Sequence, residues 1–147
     1  SVTCMDIPYR AIEKGKTKAN KRRVAVNFLV GDVLDLDKYF PEDSFQAVID
    51  SGLFHSLDNR ERRRFSKQVF QILTKGGTYF MLCFSDKEPG SWGPRRISKA
   101  DIGETFSGLF RINYIRDAHF ASKMEGEGAR AYFASMTKTD VIQPRSF

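Results

Sequence analysis

The stretch Phe28-Leu29-Val30-Gly31-Asp32-Val33 decides the fold, together with an upstream partner, Val2-Thr3-Cys4-Met5-Asp6-Ile7. Each is a short apolar run closed by an aspartate, which predicts a buried strand followed by a turn. The interval of about 26 residues between the aspartates leaves room for one strand-helix-strand crossover. Ligands of open parallel sheets bind just outside the carboxyl ends of the strands. We therefore expect Asp6 and Asp32 to lie side by side there, where carboxylates can accept hydrogen bonds from ribose hydroxyls or an adenine amino group.

The composition is typical of one globular domain with a sizeable core. The chain has 147 residues, of which 41% are hydrophobic and 29% charged. No apolar run has the length of a membrane span and no secretory signal is visible, so we expect a cytoplasmic protein with no membrane partner. Cys4 and Cys83 fall inside predicted strands and are expected to be buried thiols of a reduced compartment. The two cysteines and two histidines are scattered, and no metal site is predicted.

The net charge of +6 makes nucleic acid the obvious partner to test. The basic residues concentrate at Lys14 to Arg23 and at Arg60 to Arg64. Both runs are expected to be exposed helix faces, and neither has interleaved aromatic residues or a nucleic-acid motif. Solvated helix faces are therefore favoured over a nucleic-acid partner, with acidic small substrates or a ribosomal partner as further alternatives.

The hydrophobic pattern and the turn residues predict an alternating order of strands and helices. Strands are predicted at Val2 to Met5, Val24 to Val30, Phe45 to Asp50, Thr78 to Phe84, Phe110 to Arg116 and Arg130 to Met136. Helices are predicted from Pro8 to Asn20–Arg23, after a cap at Asp58 or Asn59, and from Lys99 to Phe106 after a Ser98 cap, with a loop or short helix at Leu34 to Tyr39. Gly76-Gly77 is expected to end the second helix in a left-handed cap. The result is a wound α/β sheet that closes with an antiparallel hairpin.

This order, with an aspartate closing each of the first three strands, resembles the class I S-adenosylmethionine-dependent methyltransferases. The resemblance extends from about Val2 to Thr137, so residues 1–137 are interpreted as the domain and residues 138–147 as a tail. It is carried by these segments: Met5-Asp6-Ile7 with Ala11-Ile12, Gly31-Asp32-Val33, Phe45 to Asp50, Leu73 to Tyr79, and the terminal hairpin. Phe84 to Ser98 and Ala129 to Ser135 look like the small-molecule branch that includes the thiopurine and thiol methyltransferases.

The resemblance implies S-adenosyl-L-methionine as cofactor and assigns six residues to its site. Asp6 matches the acidic residue that binds the ribose hydroxyls, and Ile7 would pack on the adenine. Asp32 matches the residue that binds the adenine amino group, with the Val33 backbone beside it. Asp50 and Ser51 match the strand end beside the methionine part and the sulfonium. The alternative for these aspartates is turn capping after a strand.

The sequence departs from the family at its most characteristic motif. The family's first strand and its GxGxG loop should lie before Val2, and neither is in this sequence. That strand would be central, so the strands that end at Asp6 and Asp50 are expected to flank a slot and to have unpaired backbone edges. We therefore predict that the 147 residues are an N-terminally incomplete fragment, with something else filling the slot as the alternative. The missing loop puts the activity of this chain alone in doubt.

Candidates for catalysis and acceptor binding lie after the third and fourth strands. His55 follows the third strand on the ligand side and is the natural general base, if the acceptor requires one. Trp92, Arg95 and Arg96 lie on a long loop that could cover the acceptor, and an arginine there could hold an acidic group. The alternative for His55 is a histidine that only packs in the protein or caps a turn. The alternative for the loop arginines is that they are solvated charges.

The sequence therefore predicts an enzyme that transfers a methyl group to a small-molecule acceptor. A methyltransferase acting on protein or RNA is the first alternative, favoured by the +6 charge, although the Asn-Pro-Pro-Tyr type of motif is absent after the third strand. A non-catalytic binding module with a decayed cofactor site is the second. A nicotinamide-binding domain is weaker, because it does not explain Gly31-Asp32 or the terminal hairpin. The sequence gives neither the acceptor nor the oligomeric state.

Overall fold

A computed structural model describes residues 1–122 and 126–140 of the chain. The strands are β1 (Thr3–Asp6), β2 (Asn27–Val30), β3 (Phe45–Ser51), β4 (Leu73–Phe84), β5 (Phe110–His119) and β6 (Arg130–Lys138). The helices are α1 (Tyr9–Arg22), α2 (Asn59–Ile72) and α3 (Lys99–Phe106), with short 3₁₀ helices at Val33–Lys38 and Phe54–Ser56. The predicted α/β order is confirmed. Within the described ranges, no helix is both long enough and apolar enough to cross a membrane.

The strands form two sheets, and the predicted terminal hairpin is present. β1 pairs with β2 in parallel. The second sheet has the order β3-β4-β6-β5, in which β3 and β4 are parallel and β6 is antiparallel to both of its neighbours. Because β6 runs against β4 and β5, those two strands point the same way. The carboxyl ends of β3, β4 and β5 therefore lie along one edge of the four-stranded sheet.

The expected slot is visible in this topology. Over the described residues β1 pairs only with β2, and β3 pairs only with β4, so each has one edge without a partner strand. Ile49, in the middle of β3, is 79% exposed, which is unusual for a large apolar side chain in a parallel sheet. The fold is thus a Rossmann-like α/β arrangement whose described strands form two sheets, β1-β2 and β3-β4-β6-β5.

The main core lies between the four-stranded sheet and the helices α2 and α3. Phe65, Val69 and Ile72 of α2 are buried against it, as the predicted apolar stripe requires. The capping residues of both helices are also as predicted. Asp58 forms a capping box with Glu61 at the start of α2, and Ser98 forms one with Asp101 at the start of α3.

The 3₁₀ helix that follows β2 docks the small sheet onto α2. Leu36 of this helix is buried in the core. Arg64 Nε donates to the Leu34 carbonyl oxygen at 2.8 Å, and the Asp37 amide donates to Gln68 Oε1 at 2.8 Å. This 3₁₀ helix follows the carboxyl end of β2, and α2 follows the carboxyl end of β3.

One local prediction was wrong for a backbone reason. α2 ends at Ile72, because Leu73 adopts an extended conformation and pairs with Phe45. Gly76-Gly77 therefore lies inside β4, where Gly76 has a φ of +71°, and does not cap the helix. The strand β6 extends to Lys138, and the division into a domain and a tail stays a prediction. Residues 141–147 of the predicted tail, and residues 123–125 of the predicted polar loop, lie outside the described residues.

Two burial predictions were also wrong. Cys83 is buried as expected, but Cys4 is exposed on β1. Lys14 to Arg23 is an exposed basic face apart from Ala19, whereas the run from Arg60 to Arg64 is not uniformly exposed. Arg62 is only 3% exposed and its guanidinium lies 4.9 Å from the centroid of the Phe54 ring. One of the four arginines in that run is therefore part of the core.

Candidate functional site

Asp6 and Asp32 lie at the carboxyl ends of two paired strands, as predicted. Asp6 is aligned with Val30, and the Gly31 amide donates to the Asp6 carbonyl oxygen at 3.1 Å. The Asp6 Oδ1 atom accepts from the Ile7 amide at 2.8 Å, and the Asp32 Oδ1 atom accepts from the Leu34 amide at 2.9 Å. Each carboxylate therefore caps its own turn with one oxygen. Among the described residues neither Oδ2 atom has a hydrogen-bond partner, so both can accept from a ligand.

The turn between these carboxylates needs a glycine. A Cβ atom on Gly31 would lie 2.9 Å from Cζ of Tyr39 and 3.2 Å from Cε of Met5. The glycine thus lets the Tyr39 ring pack against the strand end. Ile7 beside it is 59% exposed, while Val33 is half-buried against the core. Ile7 therefore offers an apolar surface next to the two free carboxylate oxygens.

Asp50 points into the protein, in contrast to Asp6 and Asp32. Its Oδ1 atom accepts from the Leu53 amide at 2.7 Å. Its Oδ2 atom accepts from the Phe54 amide at 3.0 Å and from the Tyr79 hydroxyl at 2.9 Å. Burial raises the pKa of Asp50 above its usual range, and these hydrogen bonds oppose that shift. The carboxylate is engaged by internal donors at both oxygens and is not available to a cofactor, while the neighbouring Ser51 is exposed at the strand end.

His55 is also held by internal contacts. Its Nδ1 atom accepts from the Phe84 amide at 2.9 Å, and only 7% of the residue is exposed. Nδ1 must be unprotonated to accept, so the neutral ring carries its proton on Nε2. Burial, and then the charge of Arg62, lower the pKa of His55. This arrangement is that of a structural histidine, and it gives no support to the general base that the sequence predicted.

Arg96, predicted to bind the acceptor, is the internal anchor of its own loop. A guanidinium has five N–H donors. Those of Arg96 donate at 2.8 to 3.2 Å to the carbonyl oxygens of Glu88, Pro89, Gly90, Trp92 and Pro94. All five donors are used, so the side chain has none left for an acidic acceptor.

Arg95 and Trp92 differ in their availability. Arg95 reaches toward the start of α2, where it donates to Asn59 Oδ1 at 3.1 Å and to the Leu57 carbonyl oxygen at 3.4 Å. Trp92 is 57% exposed and packs edge-on against Phe84, with the ring centroids 5.5 Å apart. Of the three predicted acceptor residues, Trp92 and Arg95 are exposed, and Arg95 uses only two of its five N–H donors within the described residues.

The structure adds three residues that the sequence did not single out. Tyr79 supplies a hydroxyl to Asp50, although a tyrosine in an otherwise apolar strand gave no specific signal. Phe84 is the last residue of β4, and Phe120 follows the last residue of β5. Their ring centroids lie 5.3 Å apart. An aromatic residue at the carboxyl ends of two strands that both pair with β6 is a signal that sequence alone contains, once the hairpin pairing is known.

The comparison with known families agrees with this geometry. The model of a family described as "Methyltransferase domain" matches residues 1–77, which is just over half of the chain. The matched part contains β1, β2, β3 and α2, and therefore all of Asp6, Asp32, Asp50 and His55.

Curated relatives carry the same description. A 2-heptyl-1-hydroxyquinolin-4(1H)-one methyltransferase from Mycobacteroides abscessus is 27% identical over 135 residues, covering 88% of this chain and 59% of the relative. An uncharacterized methyltransferase from Schizosaccharomyces pombe is 31% identical over 103 residues, covering 67% of this chain and 70% of the relative. The chain thus spans between about three fifths and seven tenths of the length of these proteins.

Solved structures share the fold at low identity. A SAM-dependent methyltransferase from Methanosarcina mazei superposes with a TM-score of 0.79 at 17% identity, covering 94% of this chain and 82% of that one. An N-methyltransferase from Bradyrhizobium japonicum, solved with S-adenosyl-L-homocysteine, gives a TM-score of 0.71 at 17% identity, covering 92% and 65%. At these identities the likeness establishes the fold alone.

Proposed function

We propose a methyl-transfer function on one premise: this chain belongs to the class I S-adenosylmethionine-dependent methyltransferases. We infer that it carries the adenosine side of the cofactor site and the acceptor side of the reaction centre. The proposal includes a small-molecule acceptor and a cytoplasmic location. The finer resemblance to the thiopurine and thiol branch stays a prediction.

One observation carries the proposal. The carboxylates of Asp6 and Asp32, at the ends of β1 and β2, each have one oxygen that accepts no hydrogen bond from the described residues. A bound cofactor would supply an electrophilic methyl group on a positive sulfur, so the protein has mainly to bind, align and exclude water. Asp6 Oδ2 would accept from the ribose hydroxyls and Asp32 Oδ2 from the adenine amino group. Ile7, exposed beside them, would cover the adenine face. The residues present therefore fit the adenosine half of the cofactor.

The methionine half has no comparable set of groups among the described residues. Asp50 is engaged internally, and Ser51 is the only predicted contact left exposed at the end of β3. We propose that a further parallel strand, followed by a glycine-rich loop, fits between β1 and β3 and completes this half of the site. The unpaired edges of both strands support this proposal.

A small-molecule acceptor is supported by the relatives. The Mycobacteroides abscessus relative is named for a hydroxyquinolone acceptor, which is a small molecule. Methyl transfer to a small acceptor is accordingly favoured here over methylation of protein or RNA.

The proposal is tested by calorimetric titration with S-adenosyl-L-homocysteine. The chain, and a chain extended upstream through the proposed strand, are titrated side by side. Asp6→Asn is expected to weaken binding by about tenfold or more, because a charged hydrogen-bond acceptor is lost. Asp43→Asn is the matched control, since Asp43 is an exposed aspartate before β3 whose ion pair is with Lys138.

Three outcomes are informative. Binding to the extended chain that Asp6→Asn weakens and Asp43→Asn does not would support the proposal in full. Equal binding to the short chain would contradict the proposed strand and loop, while keeping the adenosine site. Binding to neither chain would overturn the enzyme and leave a binding module with a decayed site.

A further inference from the structure

We propose that the acceptor is a planar, uncharged aromatic molecule that lies against the rings of Trp92 and Phe120. This inference rests on the proposed methyl transfer, because it names the acceptor class of the same site. We call the group formed by His55, Phe84, Trp92 and Phe120 the aromatic wall.

The aromatic wall stands at the carboxyl edge of the four-stranded sheet. Phe84 ends β4, and Phe120 follows the last residue of β5. His55 lies four residues after the end of β3 and donates no side-chain hydrogen bond within the described ranges, while its Nδ1 atom accepts from Phe84. Because β3, β4 and β5 end at one edge, the wall gathers residues from the carboxyl ends of all three strands.

The rings of the wall form a continuous cluster. The centroid of Phe84 lies 5.0 Å from that of His55, 5.3 Å from that of Phe120 and 5.5 Å from that of Trp92. Phe84 and His55 are buried, at 8% and 7% exposure, whereas Trp92 is 57% exposed and Phe120 is half-buried. The cluster therefore has a closed floor and two rings open to a ligand. Aromatic rings prefer offset or edge-to-face contacts with other aromatic rings, which a planar acceptor can provide.

Arg96 packs against two rings of the wall. The guanidinium of Arg96 lies 5.3 Å from the Phe84 centroid and 5.5 Å from the Trp92 centroid. Since its N–H groups are all bound to the loop backbone, it fixes the position of Trp92. A rigid, preformed surface loses less conformational entropy on binding than a mobile one.

Gly52 keeps the space beside the wall open. It has a φ of +93°, which favours glycine. A Cβ atom there would lie 3.4 Å from His55 Nε2 and 3.7 Å from Cε1 of Phe120. A larger side chain would extend from this point over the edges of those two rings, where the acceptor is proposed to lie.

The charges at the wall favour a neutral acceptor over the acidic one that the loop arginines suggested. Arg96 has no free donor. Arg95 lies outside the aromatic wall and is directed toward the start of α2, where two of its five N–H donors bind Asn59 and the Leu57 carbonyl oxygen. His55 is neutral because its Nδ1 atom accepts a backbone hydrogen bond. The wall itself therefore presents two ring faces and no cation to a ligand.

The test compares three probes with the same carbon skeleton: 1-naphthol, decahydro-1-naphthol and 1-naphthoate. Binding is measured by equilibrium dialysis, with and without S-adenosyl-L-homocysteine. Trp92 is the only tryptophan of the chain, so a change in its fluorescence on addition of 1-naphthol gives a second readout of binding near this residue. We expect 1-naphthol to bind about tenfold more tightly than its saturated analogue, and Trp92→Ala or Phe120→Ala each to weaken it about fivefold.

Two further variants separate ring contact from general damage. Trp92→Phe keeps an aromatic ring and is expected to retain most of the binding. Tyr114→Ala removes a ring in the middle of β5 that packs on Phe133, with centroids 5.9 Å apart, and should leave probe binding unchanged. A loss of binding in Tyr114→Ala as large as in Phe120→Ala would overturn the assignment to the wall.

The outcomes distinguish this inference from the function on which it rests. Equal affinity for 1-naphthol and decahydro-1-naphthol would overturn the aromatic acceptor, even when S-adenosyl-L-homocysteine binds. Tighter binding of 1-naphthoate, lost in Arg95→Gln, would replace it with an acidic acceptor. Selective binding of 1-naphthol in a protein that does not bind S-adenosyl-L-homocysteine would support the wall and overturn methyl transfer.

Discussion

At the scale of single residues, the site separates carboxylates that face a ligand from those that hold the protein together. Asp6 and Asp50 both end strands, and both matched a cofactor-binding position by resemblance. Asp6 gives one oxygen to its own turn, whereas Asp50 gives both to internal donors, including the buried Tyr79 hydroxyl. A strand-end aspartate in sequence cannot reveal which way its side chain turns, because that depends on donors supplied by a distant strand.

His55 gives a prediction at the same scale. Its pKa is lowered by burial and by Arg62, while an unfolded histidine titrates at about pH 6.5. Below that pH the unfolded chain therefore binds more protons at His55 than the folded protein does. The stability that neutral His55 contributes is full above about pH 6.5, and it is lost as the pH falls through the lowered pKa of the folded protein. His55→Gln can still accept the Phe84 amide hydrogen bond through Oε1 and does not titrate. At high pH we expect the free energy of unfolding of His55→Gln to be about 1–2 kcal/mol below that of the parent protein, because packing is lost. This difference should become smaller as the pH is lowered.

Urea unfolding of both proteins from about pH 8 to about pH 5 measures this gap. His119→Gln controls for removal of a histidine from β5, where its side chain is 40% exposed. Parallel stability curves for the parent and His55→Gln would contradict the structural role assigned to this histidine.

At the scale of elements, the loop 85–97 shows how one side chain can order a segment that lacks regular structure. The loop has one proline and one glycine on each side of Trp92, and its backbone carbonyl groups would otherwise need water. Arg96 binds five of them. Lysine offers three donors from a single point and cannot reproduce this planar fork. Arg96→Lys should therefore loosen the loop and lower the free energy of unfolding by about 1–3 kcal/mol.

Chymotrypsin cleavage after Trp92 under native conditions measures this loosening, because cleavage requires local opening. Arg96→Lys is expected to speed cleavage severalfold. Arg95→Lys is the matched variant, since the two contacts of Arg95 lie outside the loop, and it should speed cleavage less. Equal acceleration by both substitutions would show that Arg96 is not the anchor.

The elements also show where sequence reasoning succeeded and where it could not. The helix starts at Asp58 and Ser98 were predictable because a capping box is local in sequence. The end of α2 was not, because Leu73 leaves the helix to pair with Phe45 across the sheet. Likewise, Arg96 and Trp92 were found as loop residues, but their opposite roles depend on hydrogen bonds that no pattern encodes.

At the scale of the whole molecule, the two sheets leave backbone amides without strand partners at one edge of β1 and one edge of β3 among the described residues. The Gly52 amide donates to the Leu82 carbonyl oxygen, so the amides of alternate residues, including Asp50, also face β4. The amides of Ile49 and Ser51 must then face the open edge of β3. Paired amides in a sheet exchange slowly with solvent, whereas unpaired edge amides do not.

This alternation gives the last prediction. In the 147-residue chain, the amide hydrogens of Ile49 and Ser51 should exchange rapidly and that of Asp50 slowly, as measured by nuclear magnetic resonance. In a chain extended upstream through the proposed strand, Ile49 and Ser51 should become protected, because that strand would accept their hydrogen bonds, while Asp50 serves as an internal reference. The Asp6 carbonyl oxygen faces β2, so the backbone groups of the preceding residue, Met5, must face the other edge of β1. The amide hydrogen of Met5 should therefore also become protected in the extended chain. Protection of β3 without β1 would mean that a strand adds to one sheet only and does not bridge the two.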